Sequence, residues 1–167
     1  MAFINRMDGQ DFIDKTREYL SYLEEHLENI RIAFIAISNA CDGMAWVGDD
    51  CSWHTLRNQV MAHDLSKFSK EEFVQYRDAF YPVDDVCKQD SGFNDAYKNH
   101  IKKNTHHYGT AKTYNDIVHM VIDWTAMGYK FGDTAQSYYE NNKQIVSLSK
   151  DHQKFIYEIF DRIRKAE

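Results

Sequence analysis

The sequence predicts an all-α fold on three observations. Apolar residues recur at three- and four-residue steps along most of the chain, the mark of helices with one buried face. Breakers are scarce: one proline, Pro82, and seven glycines in 167 residues leave room for long helices and short loops. No segment sustains the two-residue alternation of a half-buried strand. The expectation is one domain over residues 1–167, a bundle of about six to seven helices, with residues 1–9 as a loose lead-in.

The first helix is expected from about Asp11 to Ala40. Tyr19, Leu23, His26, Ile30, Ala33 and Ile37 form its apolar stripe, and Cys41-Asp42-Gly43 stops it. Met44 to Asp50 reads as a loop, and Asp50 or Ser52 caps a second helix. On that helix Trp53, Leu56, Val60 and His63 share a face, with Asp64 at or just past its end. Ser69-Lys70-Glu71-Glu72 has capping-box spacing, so a third helix is expected from Lys70 until Pro82 ends it. Val83 to Gly92 is polar and acidic, a surface loop. A fourth helix starts near Phe93, with Ala96, Tyr97, His100 and Ile101 on its apolar side, and ends into the turn Asn104–Gly109.

Thr113 and Asp116 make a second cap pair for a helix from about Tyr114 to Met127, closed by Gly128. Asp116, His119 and Asp123 lie together on it. Asp133-Thr134 caps a short helix through Asn141. Ser149 caps the last one, whose stripe is Phe155, Ile156, Ile159, Phe160 and Ile163.

The net charge of −6 disfavours nucleic acid or an anionic membrane as partner. Three cysteines, Cys41, Cys51 and Cys87, are odd in number and lack metal-site spacing, so they read as free thiols in a reducing compartment. The longest apolar run, near Ile32 to Ile37, is too short to span a bilayer. No apolar leader with a cleavage site opens the sequence, and a cytoplasmic location is expected.

The chemistry concentrates at His63-Asp64-Leu65-Ser66-Lys67-Phe68-Ser69. It sets an imidazole beside a carboxylate, both natural ligands for a divalent metal, with a lysine placed to reach a bound phosphate. His26, His100, the His106-His107 pair and Asp123 are the further candidates. Burying such a group against hydrocarbon without a partner costs about 2–7 kcal/mol. A single histidine on an apolar face is usually a hydrogen-bonded core residue. Several on separate helices need a common partner, and a metal held between helices supplies one. His119 reads as a group behind the ligands, one turn before Asp123, and Asp116 as a cap. His54 and His152 read as solvated.

The ordered series His26, His63-Asp64, His100, His106-His107, Asp123 resembles the HD-domain superfamily of metal-dependent phosphohydrolases, in particular the subset that holds two metals. The heptad at His63, Glu72-Phe73, His100 to Asn104, the paired histidines and Met120-Val121-Ile122-Asp123-Trp124 also resemble a phage and bacterial family with an HDLSKFS signature. That likeness runs from about Tyr22 to the C-terminus. The resemblance implies a bundle of HD type with its ligands facing inward. It implies that His26, His63, Asp64 and Asp123 hold a first metal. Asp64 would bridge to a second, completed by His100 and either His106 or His107. A one-metal form using only the first set stays open.

Such a centre suits hydrolysis of a nucleotide or nucleotide-like phosphate ester or anhydride by metal-activated water. Asp64 and Lys67 are the candidate catalytic residues, and Lys67, Arg31 and Arg57 the candidate substrate contacts. The cofactor is one or two divalent ions from among Fe, Mn, Co, Ni, Zn and Mg. Two other classes share the pattern: an HD-fold di-iron oxygenase, and a non-catalytic protein that sequesters a nucleotide signal for a phage.

Overall fold

The computed structural model describes residues 9–43, 47 and 51–166. The expected lead-in, most of the expected Met44–Asp50 loop and the candidate cap Asp50 lie outside the described residues. Among those described there are eight α-helices and no strand, so the protein is all-α. None of these helices is long and apolar enough to cross a membrane. The chain forms two compact units, one from the segments ending at Glu25 and spanning Asp64–Lys103, the other from His26–His63 and Asn104 onward. Helix α1, Gly9–Ala40, contributes to both.

In the first unit, the early part of α1 is joined by a 3-10 turn at Leu65–Phe68 and by α3 (Phe73–Phe80), α4 (Asp85–Gln89) and α5 (Phe93–Lys103). Its core is aromatic. Tyr19, Leu23, Tyr76 and Ala96 are buried, with Tyr22, Phe73, Tyr81 and Phe93 packed around them. Tyr19 meets Phe73 at 5.3 Å between ring centres, and Tyr76 meets Phe93 edge-on at 5.2 Å, the tilted geometries that ring quadrupoles favour.

Two expectations change here. Helix α3 starts at Phe73, not Lys70, and receives no side-chain cap. The Glu72 side chain bonds Ser66, Asn99 and His100, so the box read at Ser69 does not form. The expected surface loop holds α4, because Asp84 accepts from the Cys87 backbone and starts a short helix.

In the second unit, α6 (Tyr114–Phe131) is the central element. It packs against α2 (Trp53–Met61), α7 (Ala135–Asn142) and α8 (Lys150–Ala166). Asn115 to Ile122, Trp124, Ala126 and Gly128 are all buried, which is why its sequence is apolar around most of its circumference. Leu56 and Val60 from α2, Ile30, Ala33 and Ile37 from α1, and Phe155, Ile156, Ile159 and Phe160 from α8 complete the core. Each Leu, Ile, Val or Phe among them contributes about 1.5–3 kcal/mol through burial.

The caps follow local chemistry. Ser52, Thr134 and Ser149 each accept a backbone N–H three residues on. Thr113 and Asp116 form a reciprocal capping box. Helix α6 continues past Gly128 to Phe131, and Gly132, at φ +73°, closes it. Gly128 serves a different need: a Cβ there would lie 2.4 Å from the Asp133 carbonyl oxygen. His152 is half-buried rather than solvated, edge-on to Tyr114 at 5.2 Å. All three cysteines are thiols rather than disulfides, and burial pushes those of Cys41 and Cys51 up to about 11.

Candidate metal centre

The second unit gathers five histidines and a carboxylate. Helix α1 carries His26, the residue pair after α2 ends in His63, the segment before α6 carries His106 and His107, and α6 carries His119 and Asp123. His26, His63, His106 and His119 are 1–4 % exposed. The Nε2 atoms of His26 and His63 are 3.0 Å apart. Asp123 Oδ1 lies 3.4 Å from His26 Nε2 and 3.7 Å from His63 Nε2.

Those separations test the fit of a cation. Ligand atoms about 2.1 Å from one ion are separated by about 3.0 Å at an octahedral corner and about 3.4 Å at a tetrahedral one. His26, His63 and Asp123 meet that spacing, and their donor atoms lie within 4.8 Å of one another. Two imidazoles and a carboxylate are a borderline-soft, singly negative donor set suited to a divalent transition metal. The Asp123 side chain is 18 % exposed while the His26 and His63 side chains are 4 % and 0 %, so the trio opens toward solvent on the carboxylate side.

His63 makes a second contact. Its Nδ1 lies 3.0 Å from His119 Nε2. When His63 directs the Nε2 lone pair at a cation, Nδ1 carries the hydrogen and donates it to His119. The His106 ring lies 4.5 Å from His63 and 4.4 Å from His119, with His107 4.3 Å from His106. His63, His106 and His119 form another group with metal-ligand spacing. It shares His63 with the first.

Nearby, Asp116 anchors the start of α6. Burial works to raise its carboxyl, but hydrogen bonds from Thr105, from the Thr113 and Lys112 backbone and from the Thr113 hydroxyl outweigh that and hold it below the usual aspartate range.

The first unit holds a polar cluster around Asp64. Asp64 sits in the left-handed region at φ +55°, a conformation Asp tolerates better than most residues. Its Oδ2 pairs with Lys67 Nζ at 2.6 Å, and its Oδ1 lies 3.2 Å from His100 Nε2. His100 Nδ1 faces Glu72 Oε2 at 3.0 Å. Lys67 also lies 5.4 Å above the Tyr76 ring, a cation–π distance. Burial first, then the negative charge of Asp64, pushes the Tyr19 and Tyr76 hydroxyls well above the usual tyrosine range, so both stay protonated.

The structure therefore brings His26, His63, His106 and Asp123 together in one unit and Asp64, Lys67 and His100 together in the other. Lys67 is an ion-paired residue with 11 % of its side chain exposed. Arg31 is exposed and paired with Glu28, and Arg57 is exposed on α2. Sequence reading put His119 behind the ligands and Glu72 in a cap. Glu72 is instead fully buried against His100, and its sequence signal was the Glu72-Phe73 pair in the family resemblance.

The chain matches the family described as "Family of unknown function (DUF5662)" over residues 15–162. It belongs to that family. The matched span contains every member of both clusters. No curated protein and no solved structure matches the chain.

Proposed function

We propose that the chain is a metal-dependent phosphohydrolase whose substrate is a nucleotide or nucleotide-like phosphate ester or anhydride. One observation carries the reading: His26, His63 and Asp123 aim three donor atoms at one point with coordination spacing and an open side. The order of the ligands along the chain, with its resemblance to HD-domain phosphohydrolases, supports it.

A divalent ion held there supplies a water activated near neutral pH and a positive charge beside the phosphoryl oxygens. The residues' own work is positional. His26 and His63 present Nε2, and Asp123 supplies the negative charge. His119 Nε2 accepts the hydrogen bond from His63 Nδ1–H and keeps that ring from turning. Lys67 holds Asp64 in place through their ion pair.

The imidazole-rich surroundings favour one second reading, an iron oxygenase, because nitrogen-rich sites also suit iron. Protein purified without chelator decides between them. The hydrolase reading expects bound Mn, Co, Ni, Zn or Mg and phosphate release from members of a nucleotide panel, lost in Asp123→Ala and His63→Ala. Tightly bound iron with oxygen uptake would replace it by the oxygenase. A nucleotide recovered unchanged after tight binding would replace it by a sequestering role. Protein that takes up no divalent ion overturns the reading.

A further inference from the structure

Beside the solvent-facing edge of the His26, His63 and Asp123 trio, the second unit presents an exposed aromatic face. Tyr138 lies on α7, which packs on α6, the helix that carries Asp123. Its ring meets that of Trp124, the residue after Asp123, at 5.2 Å between centres, and 38 % of Tyr138 stays exposed. Trp124 in turn stacks on the buried Tyr139 at 6.0 Å, so the backing of the Tyr138 ring belongs to the core. Burial first, then the Tyr108 hydroxyl and the negative charge of Asp123, push the Tyr138 hydroxyl up. Tyr138 therefore stands close to the carboxylate through which the trio opens to solvent.

A single exposed tyrosine on a helix is ordinary. This one combines three properties: an exposed face, a fixed aromatic backing and a place beside the ligand Asp123. A flat ring held from behind is a stacking platform, and it accepts any nucleobase because every base has a π-face.

We propose that Tyr138 is a substrate-binding residue whose exposed ring stacks the base of a nucleotide held at the trio. This rests on the phosphohydrolase reading above and adds to it the contact that separates a nucleotide from a sugar phosphate without a base.

Calorimetric titration of the manganese-saturated chain with adenosine monophosphate and with ribose 5-phosphate tests it. Wild type is expected to bind the nucleotide about 10–100-fold more tightly than the sugar phosphate. Tyr138→Ala should bring the nucleotide down to the affinity of the sugar phosphate, while Tyr138→Phe, which keeps the ring, should retain the difference. Ribose 5-phosphate affinity and manganese content should be the same in all three proteins. Tyr138→Leu fills the space against Trp124 without a π-face, so it decides the matter if Tyr138→Ala does not fold. It should lose the preference as well.

Equal affinity of wild type for the two compounds overturns this inference and leaves the phosphohydrolase reading standing. A preference that survives in Tyr138→Ala or Tyr138→Leu overturns it too. So does a preference lost in Tyr138→Phe, which would assign the contact to the hydroxyl and not the ring. A chain that takes up manganese and binds neither compound sinks both readings.

Discussion

His63 Nδ1 and His119 Nε2 stand 3.0 Å apart, both rings buried. The contact leaves His63 Nε2 directed at His26 and Asp123, so the two histidines have different tasks. His63→Ala should abolish the ion at the His26 and Asp123 site. His119→Ala should retain it with about 10–100-fold weaker affinity, because the ring loses its orienting partner but not its ligand atom. Metal content after dialysis against a graded chelator series separates the two variants. Equal loss in both would place His119 in the coordination sphere.

Lys67 and Asp64 form a nearly buried ion pair, with 11 % and 5 % of their side chains exposed. Removing one partner leaves a buried charge uncompensated, which costs about 3–5 kcal/mol. Lys67→Met should therefore lower the urea midpoint substantially. Pairing it with Asp64→Asn should recover much of the loss, read as a coupling energy in a double-mutant cycle.

Asp116 gives the start of α6 a pH dependence. Its folded carboxyl is held below the usual aspartate range, so the unfolded chain binds that proton more readily. The stabilisation is therefore complete above the unfolded value and is lost as pH falls through the folded one. Asp116→Ala should cost about 1 kcal/mol or more near neutral pH, as the loss of a cap does. The difference from wild type should shrink in acid, which denaturant titrations at a series of pH values would follow. A difference that grows in acid would contradict the assignment.

Gly128 and Gly132 should respond differently to alanine. At Gly128 the new Cβ would meet the Asp133 carbonyl oxygen, a backbone atom, at 2.4 Å, so α6 and the turn after it must part. Overpacking of this kind costs about 1–3 kcal/mol. At Gly132 nothing lies within 4 Å, and the cost is the left-handed conformation alone, about 1–2 kcal/mol. Thermal unfolding should show lower cooperativity in Gly128→Ala and a plain shift in midpoint in Gly132→Ala.

What was legible in the sequence was local. The α8 stripe of Phe155, Ile156, Ile159 and Phe160, the caps at Ser52, Thr113, Thr134 and Ser149, and the inward face of His26 all follow from spacings of a few residues, because helix geometry and capping act over one or two turns. Periodicity says which face is buried and is silent on what lies opposite. The meeting of His26 with His63, 37 positions apart, and of His63 with His119, 56 apart, was decided by how α1, α2 and α6 pack. Glu72 shows the same limit from the other side. Its spacing from Ser69 suits a cap, yet His100 and Asn99, more than two dozen residues away, offer a buried carboxylate more hydrogen bonds than one exposed backbone N–H can.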